Sequence, residues 1–502
     1  MKKKLFSLLL AGAVALSWSI NYTATTSAEL HQRFNLLQAG DTLFITAGTY
    51  DSVNLYTQAA GQPGLPIVVK GAGEGVTILD QGYDTTKSIA VGGWKGSLLT
   101  IRHARWIIED LTLQNSFDCV VQFANYVPNC ILQHMEWTRY GAYAVKIAVL
   151  FWDSVNQVVI PNGADSLLIQ DIYAHLDRMP NPYRTGSCNV LDLLGSDDVH
   201  IRNNYFVADY VNYVGFVKAN SSRCIFENNL CKNGGQTNGY GVGWSFGGGL
   251  TGTGRHWFKY DDETWEARDG LVRNNVFVNF ADYCVHLNKA LNSRIYHNTF
   301  VATPGGTLNV LQVRTNSSGA DFKNNLMAGS SSPSYSGTST RTNNVTSSNL
   351  LCFENASAED FRVKSGTSPV NACPALSDVT TDFNGFPRDA QPDAGAFELG
   401  STIGVTLQSA EAPLLMSAWP NPFCGSVPVT LLVTDKKALR VAVYTVDGRL
   451  VRSLDTRSVM YGVNTLQWDG KDVNGRAMPG GTYLIKVWGR DKVQTQRVVL
   501  IR

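Results

Sequence analysis

The chain carries almost no net charge: 42 Lys and Arg stand against 41 Asp and Glu, a formal +1 at pH 7. No long-range field draws it to polyanions, which argues against a nucleic-acid coat or a polybasic membrane binder. Its 9 cysteines include no CxxC pair, the spacing that grips structural zinc. Their scatter (Cys119, Cys130, Cys224, Cys231, Cys284, Cys352, Cys373) fits small buried apolar side chains better than a disulfide network. His103, His134, His175, His200, His286 and His297 form no HxxxH or HxH pair, so a histidine metal site has no support. Beyond the first residues there is no uninterrupted apolar run of about 18, so no transmembrane helix is expected in the mature chain. The middle of the chain also lacks apolar residues at i, i+3, i+4 and i+7 free of interrupting Gly or Asn, which removes a helical repeat.

What is present is an ordinary folding composition, with 44% hydrophobic and 10% aromatic residues over 502 positions. That length predicts two or three domains, or an elongated repeat. Lys2, Lys3 and Lys4 precede the apolar run Leu5 to Leu16, so residues 1–28 read as a secretory signal peptide. The expected location is secreted or at the outer cell surface.

One pattern returns along the middle: IIEDLTL from Ile107, LLIQDIYA from Leu167, VHIRNNYFV from Val199, CIFENNLC from Cys224, GLVRNNVFV from Gly270, SRIYHNTFV from Ser293 and ADFKNNLMA from Ala320. Aligning the last polar residue of each gives Asp110, Asp171, Asn204, Asn229, Asn275, Asn298 and Asn325. The step of 46 between Asn229 and Asn275 reads as two turns of 23, the step from Asn275 to Asn298. A repeat of about 20–30 residues marks a solenoid, and period-two alternation makes its unit strands. Asn at each corner tolerates left-handed backbone and bonds its equivalent one coil away, so these residues are structural. The predicted fold is all-β: a right-handed parallel β-helix over 29–400, a linker over 401–416 and a small Ig-like β-sandwich over 417–502. The sandwich follows from short alternating strands punctuated by Asp447-Gly448, Asp469-Gly470, Asn474-Gly475 and Gly480-Gly481.

The stretch AGDTLFITAGTYDSVNLYTQAAGQPGLPIVVKGAGEGVTILDQG, from Ala39 to Gly82, resembles the first coils of β-helix lyases of the chondroitinase B and alginate lyase family. DFNGFPRDAQPDAGAFELG, Asp382 to Gly400, resembles the closing coil of such solenoids and is expected to cap the last sheet edge. WPNPF from Trp419, VAVYTVDGRLVRSL from Val441 and LQWDGKDVNGRAMPGGTYLIKV from Leu466 resemble the sorting domain of type IX secretion cargo with an FlgD-like Ig fold. That resemblance implies the type IX secretion machinery as a partner; an ordinary Ig-like spacer is the alternative.

A β-helix presents flat sheets suited to an extended polymer, and the lyase resemblance implies an acidic polysaccharide cleaved by β-elimination. That reaction needs a cation for the carboxylate and a base for the adjacent proton. Asn288-Lys289-Ala290 followed by Arg294 to Thr299 resembles the family's catalytic run, which makes Lys289 the base and Arg314 the family's arginine. An insertion around Gly243 to Asn275 supplies His256, Trp257, Trp265 and Arg268 as substrate-binding candidates. Where the family holds calcium with two acidic residues, this chain has Asp282 and Cys284, and cysteine is a poor calcium ligand. Asp282 with Glu266 and Asp269 is therefore the candidate calcium set. Lys289 is equally consistent with an outward coil residue paired to a carboxylate, and the tryptophans with packing of the insertion. Asp197-Asp198 precedes a strand and reads as a turn. A non-catalytic glycan-binding or adhesion solenoid, and a hydrolase using two carboxylates from Asp261 to Asp269, are the competing functions.

Overall fold

The computed structural model describes residues 19–83, 96–147, 151–153, 158–160, 163–177, 188–233, 241–248, 264–280, 282–304, 308–401, 414–418, 423–433, 440–446, 448–454, 456, 462–488 and 493–501. Strands dominate it. A 10-stranded parallel sheet, hereafter the wall, takes one strand from each coil, from Leu55–Tyr56 through Leu99–Ile101, Cys119–Phe123, Tyr143–Ile147, Asn189–Leu194, Tyr213–Lys218, Val242–Phe246, Tyr283–Leu287 and Asn309–Val313 to Ser334–Ser336. A 20-stranded sheet in the later coils takes two strands per coil, as in Ile225–Glu227 and Leu230–Lys232. Ser221–Ser222, Ala267–Arg268 and Ala290–Leu291 form a short ladder at the corner between the two sheets. This is the predicted parallel β-helix, with coils about 4.8 Å apart.

The interior is built from rows of like residues. Phe206, Phe226, Phe277, Phe300 and Phe322 stack one per coil with centroids 5.5–6.3 Å apart. Beside them Trp244 stacks on Phe226 at 4.3 Å. Gly215 makes room for that ring, since a Cβ there would lie 2.8 Å from both Trp244 and Leu191. The eight cysteines from Cys119 to Cys373 are buried and free of disulfides, as expected of small apolar fillers.

The corner asparagines form the expected ladder. Each side-chain amide donates to the next carbonyl oxygen: Asn204 to Asn229 (2.8 Å), Asn229 to Asn275 (3.0 Å), Asn275 to Asn298 (2.9 Å), Asn298 to Asn325 (3.0 Å) and Asn325 to Asn344 (3.0 Å). Two expectations need correction. Asn229 bonds Asn275 directly and Ile225–Glu227 pairs with Leu271–Arg273, so the 46-residue step between them is one coil, not two. Asp110 and Asp171 are not ladder members. Gln170 pairs with Arg202, so Asp171 aligns with Asn203, the residue before Asn204, and both carry positive φ (54° and 57°). His134, with φ 52°, marks the coil between Asp110 and Asp171 that the repeat alignment skipped.

The segment ending at Gly400 does not close the end of the rod. It lies across the outer face of the large sheet, where Leu230, Val276, Val278, Val301, Leu326 and Ala328 pack against Phe353, Phe361, Val363, Phe383, Ala394 and Phe397. Ala396 N–H donates to Thr299 Oγ1 (2.8 Å) and Gly395 N–H to Asn324 O (2.9 Å). Those outward sheet residues are apolar, and covering them removes their surface from water.

The N-terminal boundary also moves. Asn21–Ala24 pairs in parallel with Thr42–Ile45, and Thr26 caps the helix Ser27–Phe34, so cleavage at residue 28 would remove the first strand. At the other end Leu414–Ala418 pairs with Val427–Val433, so the second unit begins inside the expected 401–416 linker. Its three-stranded and five-stranded sheets enclose Phe423, Val429, Val443, Trp468, Ile485 and Val498.

Candidate functional site

The wall has a simple rule of orientation. Val121, Val145, Leu191, Gly215, Trp244, Val285 and Leu311 share one row, and Phe123, Ile147, Leu193, Val217, Phe246, Leu287 and Val313 another. Apart from Gly215, both rows belong to the core. Side chains alternate along a strand, so the row between them faces outward: Thr100, Gln122, Lys146, Asp192, Phe216, Ser245, His286, Gln312 and Ser336. Near the start of these strands Tyr143 and Tyr213 flank the row. Lys146 Nζ lies 4.0 Å from the Tyr143 ring centre and 3.0 Å from Asp192 Oδ2. Lys218 Nζ lies 4.5 Å from the Phe216 ring, which meets Tyr213 edge to face. Cations over aromatic faces are attracted to the ring quadrupole.

The electrostatics follow from burial. Desolvation opposes the Lys146 charge, yet Asp192 outweighs it and raises the Lys146 pKa. His286 is only 5% exposed; burial first, then the Arg314 charge, pushes its pKa down to about 4. Its Nδ1 meets Ser245 Oγ at 3.0 Å.

Lys289 is past the end of the wall strand Tyr283–Leu287, in the corner, two residues beyond the strand that carries His286. Its backbone has φ 52°. Its N–H donates to Asn316 Oδ1 (3.1 Å) and its carbonyl accepts from Glu266 N–H (2.8 Å) and Ala267 N–H (3.3 Å). Arg314 follows the next coil's strand and is exposed; its N–H donates to Leu287 O (2.9 Å). Arg268 pairs with Leu291 in the corner ladder. The half-buried Trp265 accepts through its carbonyl from Asn220 Nδ2 (2.8 Å). The fold thus gathers Lys289, Arg314, Arg268, Glu266 and Trp265 around one corner on neighbouring coils. His256 and Trp257, with Asp261 to Glu263 of the hydrolase alternative, lie outside the described residues.

The calcium set is not assembled. Glu266 is buried at the corner and its Oε2 accepts from Gly248 N–H (2.7 Å). Asp282 precedes the wall strand, bonded to Gly241 through N–H to O (3.1 Å) and through Oδ2 (3.2 Å). A five-residue strand, roughly 17 Å, separates it from that corner. Asp269 is exposed and accepts from Asn292 Nδ2 (3.1 Å). Among the described residues no group of three or more acidic, His or Cys side chains can hold a metal. These residues do not fit calcium. Asp197 behaves as the turn residue expected, its Oδ1 accepting from Ser222 N–H (2.9 Å) and Oγ–H (2.7 Å).

The outward row was missed because the repeat was aligned on asparagine. A second repeat was available, two small or apolar residues, one free position and one apolar: VVQF, AVKI, VLDL, VGFV, GWSF, CVHL and VLQV.

Comparison with known proteins agrees with the architecture. The crystal structure of pectate lyase Pel9A superposes with a TM-score of 0.54 at 12% identity, covering 76% of this chain and 97% of that one. A rhamnogalacturonan lyase gives 0.44 at 13% identity, covering 74% and 99%. Residues 425–492 match the FlgD Ig-like domain family. Basal-body rod modification protein FlgD of Salmonella typhimurium is 39% identical over 59 residues, 12% of this chain and 21% of FlgD. The chain therefore spans about a fifth of the curated relatives it matches. The strand pairings, the Pel9A superposition and the family match define a parallel β-helix protein carrying an FlgD Ig-like module.

Proposed function

We propose that the protein is an exported lyase that cleaves an acidic, uronate-containing polysaccharide by β-elimination. The observation that carries this reading is the outward face of the wall, where Lys146 and Lys218 sit over Tyr143 and Phe216 two coils apart and Arg314 follows a later strand. Aromatic faces suit sugar rings and cations suit carboxylates, and their repetition along a flat sheet suits a polymer. Lys289 and Arg314, on adjacent coils, supply positive charge where the wall turns its corner. The module beginning near Leu414 is proposed as a type IX sorting domain that places the protein outside the cell; its deletion is expected to leave the chain in the periplasm on fractionation.

Incubation with alginate, pectate, and chondroitin or dermatan sulfate, followed by ultraviolet absorbance of the unsaturated uronate, tests the reaction. Lys289→Ala and Arg314→Ala are each expected to lower turnover about 100-fold or more. Reducing ends without unsaturation indicate hydrolysis, and binding without cleavage indicates an adhesion protein; either result ends the lyase reading.

A further inference from the structure

The middle of the outward row holds a base that the lyase resemblance does not use. Ser245 Oγ–H has two carbonyl acceptors, Gly247 O and His286 O (3.1 Å). With its proton committed to one of them, Oγ meets His286 Nδ1 (3.0 Å) as an acceptor. The ring proton is thereby assigned to Nδ1 and the lone pair to Nε2. Nε2 is buried and meets no hydrogen-bond partner among the described residues. The facing groups among those residues are Ser245 on the preceding coil, Gln312 on the next, and the Arg314 charge. A serine-oriented, unprotonated imidazole near a guanidinium is the pair that β-elimination requires.

We propose that His286 Nε2 is the base of this site, taking the proton from the carbon beside a uronate carboxylate that Arg314 holds. The inference rests on the lyase reading. The C–H bond breaks and its electron pair forms the new C=C bond. The glycosidic C–O bond then breaks with its pair leaving on oxygen, which takes a proton from water, and the imidazolium returns its proton to solvent. Two chains result, one ending in an unsaturated uronate, and no oxidant or reductant is consumed. Lys289 remains a corner cation that binds or steadies charge without abstracting the proton.

The two assignments of the base separate by pH. With His286 as base, kcat/KM of the full chain falls on the acid side near pH 4 and holds through neutrality, following the neutral ring. His286→Asn keeps an amide donor for Ser245 and removes Nε2. It is expected to lower kcat by about 100-fold or more with KM changed only a few-fold. In His286→Gly, added imidazole is expected to restore part of the unsaturated product, a result that loss of packing does not produce. Should either variant fail to fold, Ser245→Ala, which frees the ring to change tautomer, is expected to lower kcat about tenfold. Full activity in His286→Asn, or a wild-type limb set by an alkaline group and abolished in Lys289→Ala, overturns the assignment while leaving the lyase reading in place. Absence of unsaturated product from every polymer in the wild type removes both.

Discussion

Charges on this solenoid are held by neighbours one coil away, and the sign of each contact decides what a substitution does. Asp192 is 5% exposed and Lys146 is its ion-pair partner, so Lys146→Met leaves a carboxylate buried without a counter-charge. That is expected to destabilise the coil by about 3 kcal/mol, and Lys146→Met with Asp192→Leu to recover most of the loss, as read by urea unfolding. Glu227 behaves differently. Burial opposes its charge, but His200 (2.6 Å) and Arg273 (2.5 Å) outweigh it and lower its pKa to about 2. A folded value below the unfolded one, about 4.3, stabilises at pH above that value and loses its contribution as pH falls toward 2. Between those limits the wild type is expected to lose about 3 kcal/mol more than Glu227→Gln in chemical denaturation. Neither pair was legible in sequence, since Lys146 and Asp192 lie 46 positions apart and meet only through the register.

Elements show why some of the fold could be read and some could not. The asparagine corners were legible because each meets its own kind, Asn298 between Asn275 and Asn325, so one residue type repeats at one position. The covering segment lies on a sheet face and not at the rod's end, and the sequence carries a signal of this. VFV at Val276, TFV at Thr299 and LMA at Leu326 do not alternate with polar residues, as strands buried on both faces do not. That run marks a sheet with a second layer, whereas an end cap would leave its outward positions polar. The seam is tight at Gly395, where φ is 93° and a Cβ would lie 2.6 Å from Thr299 Oγ1 and 2.8 Å from Leu326 Cβ. Gly395→Ala is expected to weaken docking of the cover by about 1–3 kcal/mol. Limited proteolysis should then cut between residues 352 and 400 faster than in the wild type, with the ladder's amide protection unchanged. Equal cleavage rates would show that the cover is held elsewhere.

At the scale of the whole molecule, stability is divided between two kinds of core. The coils are joined by nearest-neighbour contacts, as in any solenoid, so their strength accumulates along the rod. The C-terminal sheets close around Trp468, Phe423 and Tyr483, and none of these residues belongs to the coil core. A chain ended after Ser401 therefore keeps every coil contact described above, including the register that places Ser245, His286 and Gln312 in one row. Calorimetry of the full chain is expected to show two transitions, and the truncated chain to retain one of them with its midpoint shifted by no more than a few degrees. The truncated chain should also release unsaturated uronate at the wild-type rate, because no residue assigned to the elimination lies beyond Arg314. A single merged transition, or activity lost with the module, would mean that the Ig-like unit holds the coils or the polymer in place.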